Sequence, residues 1–102
     1  MFLMFTEDEA KNSKLERLYI KYRDMMYYVS YNILQDKFLA EDAVQQSFVQ
    51  VYNHLYKIDE TKDKDTRNFL AVICRNISIN MYNKRKKGAT DELDEDTMPD
   101  ET

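Results

Sequence analysis

Histidine and cysteine are scarce in this chain, and the more numerous acids show no spacing that brings them together. His54 is the only histidine and Cys74 the only cysteine, and neither has a second Cys or His at ligand spacing, so no zinc site is expected. Cys74 sits beside an apolar helix seam with no histidine near it in sequence to activate it, which reads as a packing residue and not a nucleophile. The only glycine is Gly88, in the C-terminal segment, so there is no glycine-rich phosphate loop. Acid pairs such as Asp24 and Glu41 have nothing that singles them out. No cofactor and no metal are expected.

Binding chemistry is better represented. The stretch A-E-D-A-V-Q-Q-S-F-V-Q-V-Y-N-H-L, residues 40–55, has apolar residues at helical spacing, yet Glu41, Asp42, Gln45 and Gln46 cluster at its start. Positions 42, 45, 46, 49 and 52 fall on one flank of such a helix, beside its seam. The plainer reading is a solvated stripe whose acids complement a helix N-terminus. Further on, Asn76, Asn80, Asn83 and Lys87 recur at spacings of four, three and four, while Arg67, Ala71, Arg75, Ser78, Tyr82 and Arg85 follow a second flank. Amide and guanidinium groups bond both base edges and phosphates, and aromatic rings stack on unpaired bases, so this surface suits nucleic acid. Here too an ordinary solvated face is the plainer reading, and the basic run Lys84, Arg85, Lys86, Lys87 also complements a helix C-terminus.

The elements that must position these residues are helices. One Gly and one Pro in 102 residues argue against a fold built on tight hairpins. A first helix is expected from about Lys11 to Leu34, with a seam at Leu15, Leu18, Tyr22, Met25, Val29 and Ile33. After a break at Gln35, Asp36 and Lys37, a second helix carries Ala40, Ala43, Val44, Phe48, Val51, Tyr52 and Leu55 inward. The short connection makes the two antiparallel neighbours. Residues 57–65 are polar apart from Ile58 and read as a loop. Asp65 or Thr66 is expected to cap a third helix that runs to about Lys87, stops at Gly88 and buries Leu70, Ile73, Ile77 and Met81. The fold class is all-α: a compact bundle of three main helices over residues 1–87.

Charge divides the chain in the same place. Residues 88–102 hold seven acids and no Lys or Arg, leaving 15 bases and 12 acids in residues 1–87. The body is thus mildly basic, and the acidic segment, with only Leu93 and Met98 as sizeable apolar residues, is expected to be a disordered linker. Met1–Phe5 has no basic residues before it and is followed at once by acids, so it is not a signal peptide. No apolar run approaches the roughly 20 residues that span a bilayer. A soluble, cytoplasmic protein without membrane partners is expected.

Three motifs resemble one family. L-x-x-L-Y-I-K-Y-R-D-M-M-Y-Y-V-S-Y-N-I-L resembles the opening helix of the second domain of bacterial extracytoplasmic-function sigma factors, the promoter-recognising subunits of RNA polymerase. A-E-D-A-V-Q-Q-S-F is similar to the family's core-binding motif D-A-E-D-A-V-Q-E-x-F. N-F-L-A-V-I-C-R-N-I-S-I-N-M-Y-N-K-R-K-K is similar to its T-W-L-x-x-I-A-R-N-x-A-I-D-Y-L-R-x-x-x-R helix. The three occur in order and cover about 70% of the chain. Gln46 stands where the family has Glu, Phe69 where it has Trp, Cys74 where it has Ala, and Asn80 where it has Asp. The family's helix-turn-helix domain is not in this sequence, which reads as an excised domain or a truncated protein.

The resemblance implies a transcription initiation factor and not an enzyme. It implies that Asp42, Gln45, Gln46, Val49 and Tyr52 dock on the clamp helices of the core polymerase β′ subunit. It also implies that the third helix and the loop before it take the non-template strand of the minus-ten promoter element. Ile58 and Asn76 would then line a pocket for one base turned out of the stack. Arg75 and Lys84–Lys87 suit the phosphate backbone, and Arg67, Asn80, Asn83 and Arg85 complete the DNA face. An anti-sigma protein is a further implied partner. Two other classes remain: a helical adaptor that binds only protein, and a small enzyme.

Overall fold

The computed structural model describes residues 9–89, with side chains described through Lys87. Three α-helices follow in order, α1 (Glu9–Leu34), α2 (Lys37–Asn53) and α3 (Asp63–Ala89), with a short 3-10 helix at Leu55–Lys57 between the last two. All three helices pack on one another around a single core, as the all-α expectation required. The N-terminal apolar run and the acidic segment from Thr90 onward lie outside the described residues.

The α1–α2 corner is made without glycine. Gln35 takes a positive φ of 54°, a conformation that costs a non-glycine residue roughly 1–2 kcal/mol. The helix end offsets that cost. Gln35 N–H donates to the Tyr31 carbonyl at 2.8 Å, and its side-chain amide donates to the carbonyls of Tyr31 (3.3 Å) and Asn32 (3.1 Å). Asp36 then caps α2, its carboxylate accepting from Leu39 N–H at 3.0 Å. Lys37, expected in the break, is the first residue of α2.

The core departs from the expected seam in the second half of α1. Leu15, Leu18 and Tyr22 are buried as expected, but the stripe continues through Met26, Ser30 and Leu34. Met25 and Ile33 only flank the core. The buried row advances in steps of four, and Ser30 belongs to it because its hydroxyl has partners: it lies 2.8 Å from both Cys74 Sγ and Ser78 Oγ. The Cys74 thiol also donates to the Met26 carbonyl at 3.2 Å. Cys74 is therefore a buried packing residue held in a polar contact between α1 and α3, away from solvent.

α3 starts and ends differently from expectation. It begins at Asp63, so neither Asp65 nor Thr66 is its cap. Thr66 N–H already bonds the Lys62 carbonyl at 2.9 Å, and the buried Thr66 hydroxyl donates to the Asp59 carbonyl at 3.0 Å, pinning the preceding turn instead. Gly88 does not stop the helix, which continues through Ala89. At about 1.5 Å per residue, its 27 residues span roughly 40 Å.

Candidate docking face and nucleic-acid interface

α2 turns Ala40, Ala43, Val44, Phe48 and Val51 inward, which leaves Asp42, Gln45, Gln46 and Val49 exposed as one ridge. Tyr52 is only half-exposed and packs against the core, so it borders the ridge. The two glutamines serve opposite sides. Gln45 lines a cleft of about 310 Å³ between α1 and α2, with Tyr19, Arg23 and Tyr27 across from it. Gln46 lines a larger groove of about 670 Å³ between α2 and α3. Its amide donates to Asp42 Oδ2 at 3.1 Å and approaches Met81 Sδ at 3.8 Å. Val49, 46% exposed, is the apolar element of the ridge and shares that groove.

The two polar flanks expected along α3 part company. Asn80 lines the α2–α3 groove together with Lys84, facing the docking ridge. The second flank turns toward α1, where Ser78 is fully buried and Ala71 half-buried, so these two belong to no binding surface. Arg67 lies over the Tyr22 ring, 5.8 Å from its centroid. Arg85 donates from one Nη to the Leu34 carbonyl at 2.9 Å and closes the last turn of α1. This is a structural task that spacing did not reveal. Arg75, Asn76, Asn83, Lys86 and Lys87 are exposed, and the outward face between the flanks also presents Val72, 53% exposed, and Tyr82.

A third hollow, of about 400 Å³, lies where the turn after α2 meets α3. Ile58 forms its floor at 6% exposure, with Phe69, Thr66 and Lys62 around it. Asn76 is not among its lining residues. It is exposed seven residues beyond Phe69 on the same side of α3, roughly 10 Å along the axis. The resemblance implies one pocket for Ile58 and Asn76; this hollow contains Ile58 without Asn76.

The turn is held from a direction that the sequence reading missed. Lys14 Nζ donates to the carbonyls of Leu55 (2.8 Å) and Ile58 (2.7 Å). Arg17 makes a two-pronged pair with Glu60, at 2.9 and 2.8 Å. Lys21 Nζ sits 3.3 Å from Asp63, whose carboxylate also accepts from the Tyr22 hydroxyl. Within the turn, the Asp59 carboxylate accepts from Thr61 N–H and hydroxyl. The electrostatic consequences are consistent. The Arg17 hydrogen bond holds the Glu60 carboxyl below its ordinary range, the Tyr22 and then the Lys21 hydrogen bonds do the same for Asp63, and the Thr61 bonds for Asp59. Burial, reinforced by Asp63, pushes the Tyr22 phenol up. The available signal was the spacing of Lys14, Arg17 and Lys21 by three and four, one basic flank beside the seam of α1.

Among the described residues, no group of three or more His, Cys, Asp or Glu side chains is placed to hold a metal ion. His54 ends α2, its Nδ1 2.9 Å from the Gln50 carbonyl oxygen and its ring edge-on to Phe69. No described helix is long and apolar enough to cross a membrane.

Comparison with known proteins bears on these faces as a set. The family model described as Sigma-70 region 2 matches residues 18–88, which include all of α2, the turn and nearly all of α3. The chain is 32% identical over 76 residues to the ECF RNA polymerase sigma factor SigM of Bacillus subtilis (strain 168). That alignment covers 74% of this chain and 45% of the relative, so the chain spans less than half the length of the curated relative it matches. No solved structure matches the chain.

Proposed function

The chain belongs to the Sigma-70 region 2 family, and from that premise we propose that it binds core RNA polymerase and captures the minus-ten promoter element during transcription initiation, in the cytoplasm. The ridge Asp42, Gln45, Gln46 and Val49, bordered by Tyr52, docks on the β′ clamp helices. The outward face of α3 takes the non-template strand. Arg75, Lys84, Lys86 and Lys87 meet its phosphates, and the hollow over Ile58 receives one unstacked base. An anti-sigma protein that covered the ridge would block the first step. The domain supplies recognition and strand capture, and the polymerase does the chemistry.

One observation carries this reading: the α2 ridge and the α3 polar face border the same groove, Gln46 and Val49 on one wall and Asn80 and Lys84 on the other. A strand leaving the docked polymerase helices can therefore pass directly onto α3. Unstacking a base costs a few kcal/mol, which a hollow with apolar walls and polar edges can recover. Ile58 and Phe69 supply the walls, Lys62 and Thr66 the edges.

The test is a screen of single-base variants of a minus-ten element, using polymerase holoenzyme with the complete protein. Ile58→Ala is expected to weaken opening at one position of the element. Asn76→Ala, being outside the hollow, is expected to act at a neighbouring position or on the backbone. Neutralising Lys84, Lys86 and Lys87 should weaken all variants alike and flatten the salt dependence, because phosphate contacts carry no sequence information. If no variant alters base preference and no single-stranded DNA is bound even with polymerase present, the domain is an adaptor for protein alone.

A further inference from the structure

The turn at residues 55–62 is held partly by its own hydrogen bonds, Ile58 N–H to the Leu55 carbonyl at 3.1 Å, Lys62 N–H to the Asp59 carbonyl at 3.0 Å and Thr61 to the Asp59 carboxylate, and partly by α1. It has one short 3-10 helix, a largely exposed polar run, and two carbonyls, those of Leu55 and Ile58, that point at the Lys14 ammonium. Three of its contacts with α1 join residues more than 40 positions apart: Lys14 to Leu55 and to Ile58, and Arg17 to Glu60. Lys14 fixes the backbone on either side of the basic and apolar residues at 57 and 58. Arg17 holds Glu60 by both carboxylate oxygens, the geometry that best restricts orientation. Arg17 is 59% exposed along its side chain, and an ion pair so exposed contributes little to global stability. Its effect is therefore local.

Charge points the same way. A turn that meets a polyanion carries Asp59, Glu60 and, at the start of α3, Asp63. Left unpaired, these carboxylates would repel the strand. Arg17 and Lys21 neutralise two of them from the side of α1.

We infer that Lys14 and Arg17 are positioning residues for base capture: α1 holds the 55–62 turn, and with it Ile58, in the shape that receives the base, and shields the strand from Glu60 and Asp63. The inference rests on the reading of the Ile58 hollow given above. It extends the recognition apparatus to a helix whose basic flank touches neither the α2 ridge nor the outward face of α3.

The experiment measures binding of forked minus-ten DNA by the complete protein in complex with core polymerase. Each base at each minus-ten position is compared for wild type, Lys14→Met, Lys14→Arg, Arg17→Ala and Arg17→Ala with Glu60→Ala. Affinity for a β′ clamp-helix fragment and the thermal midpoint are read alongside. Lys14→Met, which keeps the length of the side chain but has no donor, is expected to lower base preference about tenfold at the captured position only, the scale of one charged hydrogen bond. Lys14→Arg should restore it, and β′ binding should not change. Arg17→Ala should weaken binding of every sequence at low salt, and adding Glu60→Ala should recover most of that loss by removing the exposed charge. Base preference fully retained in Lys14→Met, or DNA binding at low salt unchanged in Arg17→Ala, overturns the inference and leaves the function standing. Uniform weakening of DNA and β′ binding together with a lowered midpoint also overturns it, since that is the mark of a merely structural residue. If the wild-type complex shows no base preference at any position, the reading of the hollow fails first and the inference falls with it.

Discussion

Arg85→Ala separates two roles that the sequence alone leaves superimposed. As one of four consecutive basic residues, Arg85 reads as a phosphate contact; in the structure its guanidinium donates to the Leu34 carbonyl at 2.9 Å, 51 residues away, and lies 5.9 Å from the Tyr82 ring centroid. The bond is partly buried and charge-assisted. Such bonds contribute about 1.5–3 kcal/mol, and the cation at the C-terminus of α1 overlaps with that figure and does not add to it in full. Water can reach the freed carbonyl, which places the expected loss toward the lower end, about 1–2 kcal/mol. For a domain of this size that corresponds to a fall in thermal midpoint of roughly 5–10 °C. Lys84→Ala, which removes an exposed ammonium on the α2–α3 groove, should leave the midpoint within about 2 °C and instead reduce the salt slope of DNA binding by about one. Urea or thermal unfolding followed by circular dichroism gives the first quantity, and DNA titration at several salt concentrations gives the second. If Arg85→Ala leaves stability unchanged and lowers the salt slope as Lys84→Ala does, then Arg85 is a phosphate contact and its role at the end of α1 is refuted.

Gln45→Ala with Gln46→Ala should weaken binding to a β′ clamp-helix fragment about tenfold, while unfolding free energy changes by less than about 0.5 kcal/mol, because both side chains are exposed and leave no cavity. Unchanged affinity would remove the docking assignment from the ridge. Acid should release the turn before it unfolds the bundle. Glu60, Asp63 and Asp59 all have folded pKa values below their ordinary ones, so the stability they contribute is fully present above about pH 5 and is lost as the pH falls through the depressed values. Hydrogen exchange at residues 55–63 should report that release, and Glu60→Gln with Asp63→Asn should reduce its pH dependence to the part that Asp59 supplies; an unaltered acid response in the double variant would assign it to other carboxylates.

The helices, their order and much of their inward faces were legible in the sequence, because apolar periodicity is a local property and each seam of three- and four-residue steps can be read without knowing what it packs against. Leu15, Leu18, Tyr22, Leu70, Ile73 and Ile77 were all identified this way and all are buried. The exposed ridge Asp42, Gln45, Gln46 and Val49 was legible for the same reason, as the complement of the α2 seam. Polar residues that are buried were not. Ser30 and Ser78 enter the core because their hydroxyls bond each other and Cys74, and hydropathy gives no sign of a partner 44 or 48 positions away. Two expected cap positions failed for a related reason: Thr66 bonds the turn behind it, and α3 passes through Gly88. Glycine lowers helix propensity but does not forbid the conformation.

Which cation serves which purpose was decided by tertiary structure alone. Lys14, Arg17, Lys21 and Arg85 look, in sequence, like the other solvated bases of amphipathic helices. Packing places the first three against the 55–63 turn and the fourth against the end of α1, while Lys84, on the same α2–α3 groove as Arg85, stays exposed. The physical reason is that a charged side chain acts over a few ångströms of space, and adjacency in space between residues more than 40 apart in sequence exists only once the three helices have closed on their common core.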